Sequence, residues 1–152
     1  MKCVIQRCKE ANCKVNNKIT GQINNGYLVL VGFTKDDNEE IVKKIAQKIV
    51  NLRIFEDENE KMNLDIKSVN GSILSISQFT LYAKLTGRRP SFTEALEYKE
   101  AKRLYEYFNK ELRNLNIKVE TGIFGADMKI SLINDGPVTI IIDSREDLWI
   151  KR

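Results

Sequence analysis

The sequence predicts a single α/β domain with a mixed sheet and two main helices, on three observations. Short apolar runs over Tyr27–Phe33, Ile73–Phe79 and Val138–Ile142 have the length of buried strands. Two longer stretches carry apolar residues at helical spacing: Ile41, Ile45, Ile49 and Leu52, then Ala101, Leu104, Tyr105, Phe108, Leu112 and Leu115. Between them there is no repeat, low-complexity segment or Pro/Ser linker, so the 152 residues read as one domain, 1–152. A chain of this length buries roughly two-thirds of its unfolded surface.

In order, strands are expected over Cys3–Cys8, around Lys14-Val15 and over Tyr27–Phe33, with Gly21 and Asn25-Gly26 as the turns between them. The first helix follows Asp36-Asp37, with Asp37 and Glu40 as its capping pair. A polar loop, Glu56–Lys61, precedes the strand Ile73–Phe79. Ser91 and Glu94 match a capping box that opens a helix running to about Leu115. Three further strands lie near Ile117–Thr121, Met128–Ile133 and Val138–Ile142. The remainder, Ser144–Arg152, is a charged extension in which Leu148, Trp149 and Ile150 are available to dock on the body or on a partner.

No apolar stretch is long enough for a membrane helix, and Gln6 and Arg7 interrupt the only apolar start, so a cytoplasmic protein is expected. The net charge of +4, from 25 basic and 21 acidic residues, permits a nucleic-acid partner without requiring one. The densest basic region is the Gly87-Arg88-Arg89-Pro90 turn with Lys84, Lys99, Lys102 and Arg103 around it, although Glu94, Glu97, Glu100 and Glu106 could balance it as a solvated face. Cys3, Cys8 and Cys13 recur in steps of five, which is not zinc-ligand spacing and sends strand neighbours to opposite faces; they read as small core fillers. Histidine is absent, which rules out Ser-His-Asp and Cys-His catalysis. A hydrolase built on this chain must use a carboxylate, a lysine, water or the substrate as its base.

Three short motifs remain. Ser77-Gln78-Phe79-Thr80 ends an apolar run and brings two hydroxyls and an amide to its edge; if the strand frays there, freed N–H groups could hold an oxyanion. Taken alone, a strand end whose Thr hydroxyl caps the next turn is the better reading. Asn134-Asp135-Gly136-Pro137-Val138-Thr139 is by default an ordinary strand-connecting turn, since only about 5–6% of X-Pro bonds are cis. A functional reading needs Pro137 cis, with the Gly136 and Pro137 carbonyls facing a pocket. The stretch Gly122–Met128 reads either as a glycine-rich hairpin or as a place where a ligand comes close to the backbone.

These motifs occur in one order with Gln6-Arg7, the Gly26–Gly32 run, Arg53-Ile54-Phe55, Lys61-Met62-Asn63-Leu64 and Arg89-Pro90-Ser91-Phe92. From residue 1 to about 142 the pattern resembles the bacterial D-aminoacyl-tRNA deacylases. The resemblance implies a barrel-like core and a homodimer in which the Gly136-Pro137 loop, with a cis bond, enters the partner's active site. It implies catalytic positions at Thr80 and Gln78, and substrate contacts from Ser77, Phe79, Met128, Gly136 and Pro137 around an aminoacylated 3′-adenosine. No metal or other cofactor is implied. The chain departs from the family in carrying Glu60 where Gly is common, and in the shortened loop Ala83–Arg88.

The substrate so implied is an ester with a vicinal 2′-hydroxyl that can help to activate water, which fits a site without histidine. Thr80, with no base beside it, is expected to position rather than attack. A chiral filter made of backbone carbonyls would exclude L side chains, admit D ones and let glycine through. Two other readings stay open: a non-catalytic RNA-binding dimer of the same fold, and an editing domain for a different aminoacyl ester.

Overall fold

In a computed structural model, which describes residues 1–148, the first strand is one continuous element rather than two: β1, Lys2–Val15. It turns through Asn16 and Asn17, both at positive φ (51° and 64°), into β2, Lys18–Ile23. A two-residue turn with both central residues left-handed matches strand twist, and Asn tolerates that conformation. Gly21, expected as a turn, lies inside β2 instead. It is there for closeness: a Cβ on it would sit 2.5 Å from the Thr121 carbonyl oxygen.

β3, Gly26–Gly32, runs antiparallel to the first half of β1, and β2 to the second half, so both share one edge of that strand. The chain then forms α1, Glu39–Asn51. Its cap is Asn38, whose side chain accepts from the Ile41 N–H, not the expected Asp37. Asp37 is occupied elsewhere, holding the Met1 ammonium at 2.7 Å and the Thr34 N–H at 2.8 Å. The expected polar loop forms, apart from Glu56, as the turn of a small hairpin between β4, Phe55–Glu56, and β5, Met62–Leu64. In its turn Glu60 stands at φ 60°, a left-handed conformation that explains why glycine suits this position.

β6, Ser72–Ser77, pairs in parallel with β3, and after α2, Tyr98–Asn114, β7, Lys118–Thr121, pairs in parallel with β6. The α2 cap is Glu97, which accepts from the Lys99 and Glu100 N–H groups. The expected Ser91–Glu94 capping box does not form, because Ser91 is drawn into a backbone bridge with Lys84. The two strands expected near Met128–Ile133 and Val138–Ile142 are one, β8, Lys129–Asp143, along the other edge of β1. A one-turn α3, Ser144–Asp147, follows; Leu148 packs against the core, and Trp149 and Ile150 lie outside the described residues.

The order β2-β1-β3-β6-β7, with β7 brought back against β2 at Gly21 and Thr121, makes a nearly closed, barrel-like sheet. Alternation along β3 separates two apolar clusters. Leu28 points inward with Cys8, Ala11, Cys13, Ile23, Leu74 and Ile76. Tyr27, Val29 and Val31 face outward under α1 and α2, which cover that side with Val42, Ile45, Ile49, Leu104, Phe108 and Leu112. Cys3 belongs to the outer cluster and Cys8 to the inner one, as a five-residue step requires. Cys13 stays with Cys8 because the β1 register slips near Cys8 and Glu10, which shifts the alternation by one. All three thiols are buried and unpaired core residues.

The seam at Gly21 yields a test. Gly21→Ala should cost roughly 1–3 kcal/mol, since the added methyl meets backbone rather than a movable side chain. Gly87→Ala, where no atom lies within 4 Å of the new methyl, should change stability by less than about 0.5 kcal/mol. Urea unfolding midpoints of the two variants measure the difference, and equal midpoints would mean that the β2–β7 contact does not close the sheet.

Candidate active site

The ladder of β6 ends where the Gln78 N–H donates to the Val31 carbonyl at 2.7 Å. The chain then tightens into a 3-10 turn, Phe79–Tyr82, so Phe79, expected as the last residue of the strand, belongs to the turn instead. Facing this turn is the loop between β7 and β8. Gly125, at φ 79°, bends it back. Gly122 leaves the space that Met128 fills: a Cβ on Gly122 would overlap the Met128 sulfur.

Between the two lies a cleft of about 220 Å³. Ile76, Ser77, Gln78 and Phe79 form one wall, and Gly125, Ala126, Asp127 and Met128 form the other. Four of the residues expected from sequence, Ser77, Gln78, Phe79 and Met128, therefore meet in one place. Sequence reasoning undervalued Gly125–Asp127, whose signal was the run of small residues before Met128. Phe79 is 58% exposed and packs edge-on against Phe92, with ring centroids 5.1 Å apart, which leaves an apolar rim open to solvent.

Thr80 stands beside the cleft rather than in its lining. Its hydroxyl accepts a hydrogen bond from the Gln78 side-chain amide, which is not a base. Other nucleophiles are poorly suited. Burial pushes the Cys8 thiol up to about 11, so it stays protonated at neutral pH. The Asp127 carboxylate is turned to solvent, 85% exposed, and pairs with Lys129 at 3.1 Å. What the cleft offers is amides, hydroxyls and backbone groups: means of orienting a carbonyl compound and its oxyanion.

Gly136 and Pro137 do not line this cleft in their own chain. They belong to a protrusion of β8: Asn134 pairs with Cys8 and Thr139 with Gln6, so Asp135–Val138 stand against Arg7 alone. The Gly136–Pro137 bond is cis, and both residues are exposed. Gly136 has φ 139°, a region closed to most side chains. The loop is tied internally by the Val138 N–H donating to the Asn134 side-chain oxygen at 2.8 Å.

Arg7 holds the loop from behind. Its guanidinium is almost wholly buried and donates to the Asp135 carbonyl at 2.9 Å and the Ile54 carbonyl at 2.7 Å. Glu56 and Asp135 lie 3.6 and 3.8 Å from it and balance its charge. A planar fork can reach two carbonyls at once; an ammonium cannot do so in the same geometry. Arg7→Lys should therefore speed amide hydrogen exchange at Val138 on the order of tenfold, reflecting the loss of about one charge-assisted hydrogen bond. Unchanged exchange would show that the β1–β8 ladder holds the loop unaided.

Comparison with known proteins gives the family. The family model described as D-Tyr-tRNA(Tyr) deacylase matches residues 4–143. The D-aminoacyl-tRNA deacylase of Thermosipho africanus is 54% identical over 147 residues, 96% of this chain and 99% of the relative. That of Bacillus pumilus is 56% identical over 147 residues, covering 96% and 100%. Among solved structures, the c-Myc DNA unwinding element binding protein superposes with a TM-score of 0.89 at 35% identity, over 94% of this chain and 98% of that one. No helix among the described residues is long and apolar enough to cross a membrane. The chain belongs to the D-aminoacyl-tRNA deacylase family of hydrolases.

Proposed function

We propose that the protein is a cytoplasmic, homodimeric editing enzyme that cleaves the ester of D-aminoacyl-tRNA, and of glycyl-tRNA, while sparing L-aminoacyl-tRNA. The observation that carries this reading is the cleft itself. It gathers Ser77, Gln78, Phe79 and Met128 around a space lined by orienting groups, with no side chain there suited to act as a buried base.

The terminal adenosine sits in the cleft with its ring near Phe79, and Ser77 and Gln78 contact the ester. Backbone N–H groups at Phe79 and Thr80 stabilise the oxyanion. The substrate's 2′-hydroxyl helps a water to attack: the water oxygen bonds to the ester carbon, the bond to the 3′-oxygen breaks, and the proton ends on that oxygen. The products are the free amino acid and tRNA.

The chiral filter comes from the partner. The exposed Gly136-Pro137 loop does not line its own cleft, and β8 carries Ile133 and Ile141, 54% and 67% exposed, on either side of it. Bare apolar residues flanking a projecting loop suit burial against a second copy. In the partner's cleft the Gly136 and Pro137 carbonyls hold the α-ammonium group, so an L side chain strikes the wall and a D side chain points outward.

Ester loss from matched D-Tyr-tRNA, L-Tyr-tRNA and Gly-tRNA tests the reading. Loss of the D and Gly esters with the L ester spared is expected. A resistant Gly ester would refute the carbonyl filter, L-specific cleavage would point to a different editing activity, and tRNA binding without turnover would make this a binding module. Thr80→Ala should lower the D-ester rate by about 10- to 100-fold, the loss of one positioning hydrogen bond of about 1.5–3 kcal/mol. Complete loss in a folded dimer would instead make Thr80 a covalent nucleophile.

A further inference from the structure

On the proposed reading the cleft takes one nucleoside and its aminoacyl group, and a basic segment beside it, Lys84–Arg89, has no assigned work. Lys84 and Ser91 exchange backbone hydrogen bonds of 2.7 and 2.9 Å, closing a hairpin whose tip, Leu85–Pro90, is exposed throughout. Its base is fixed to the cleft from both sides. The incoming arm follows directly from the 3-10 turn that bears Phe79. The outgoing arm leads into Phe92, which packs on the Phe79 ring. Lys84 at the base is paired with Glu94 at 3.0 Å, whereas Arg88 and Arg89 at the tip make no salt bridge among the described residues.

We infer that Arg88 and Arg89 bind phosphates of the RNA strand immediately 5′ of the esterified terminal nucleoside. This rests on the deacylase reading above. Three residues up and three down give the tip a reach of about 10 Å from its base, so the two guanidiniums lie near a strand leaving the cleft past Phe79. Guanidinium forks bind phosphate oxygens in pairs, and two adjacent arginines left without acidic partners suit a polyanion rather than a neutral or acidic protein surface. The bases of that strand are not read; the contact concerns charge and position. A whole tRNA is thereby favoured over a free aminoacyl nucleoside.

The double variant Arg88→Gln, Arg89→Gln is tested on D-aminoacyl-tRNA and on the corresponding 3′-D-aminoacyl-adenosine, across a series of salt concentrations. On tRNA, kcat/KM at 0.1 M salt should fall on the order of tenfold, and its log–log salt slope should flatten by about 1.4, from two phosphate contacts at roughly 0.7 each for a single strand. On the adenosine ester the rate should stay within about twofold of wild type, since that substrate lacks the phosphates. The double Lys variant should keep most of the salt slope. An unchanged rate and slope on tRNA overturn the inference, and so does an equal loss on both substrates, which would place the arginines in the cleft or the fold. Wild-type protein that cleaves neither substrate overturns the deacylase reading and this one with it.

Discussion

The pairing of β8 along β1 governs the arrangement of everything else. Four residues of β8, Asp135–Val138, must be accommodated opposite Arg7 alone. The excess cannot lie flat in the ladder, so it leaves the sheet as a protrusion. A bulge of this size leaves backbone carbonyls without strand partners, and the buried Arg7 guanidinium answers that need at Asp135 while also tying in Ile54 ahead of the β4–β5 hairpin. A buried charge is costly unless it is surrounded by acceptors; here two carbonyls and two carboxylates supply them.

The same ladder slips again around Cys8 and Glu10, and that slip turns Cys13 to the same side as Cys8. The barrel interior is consequently filled by small and medium side chains, Cys8, Ala11 and Cys13 facing Leu28, Leu74 and Ile76. Gly21 then lets β2 and β7 come together. The end of β7 is thereby placed so that the loop after it, Gly122–Met128, folds over the end of β6 and encloses the cleft. Site and scaffold are parts of one closure: the sheet curls until its two C-terminal strand ends and their loops face each other.

Hydrolysis without histidine is consistent with this construction. Rigid strand ends and a 3-10 turn can hold donors in fixed positions, and catalysis by orientation and oxyanion stabilisation needs little more from the protein when the substrate brings its own hydroxyl. The thiols are buried in the core, and the Asp127 carboxylate is exposed and paired with Lys129.

The amino-acid sequence by itself determined the two long helices and most of the strands, and it named candidates that line one cleft. Apolar periodicity marked both long helices and the buried strands, because burial on one face leaves a repeat that survives without coordinates. Ser77, Gln78 and Phe79 were legible as candidates from their motif and Met128 from the family resemblance, and the four line one cleft. The caps were misread at both helices, since Asp37 and Ser91 each had a stronger partner elsewhere, the Met1 ammonium and the Lys84 backbone. The Asn16-Asn17 turn was missed because glycine, the louder signal, had been placed at Gly21 for a close approach rather than for a bend. Only the tertiary structure decided that β1 is one strand with both edges filled, that Arg7 braces the 135–138 protrusion, and that Gly136 and Pro137 lie outside the lining of their own chain's cleft. Those facts depend on register and on contacts between residues more than a hundred positions apart, and local patterning carries no record of either.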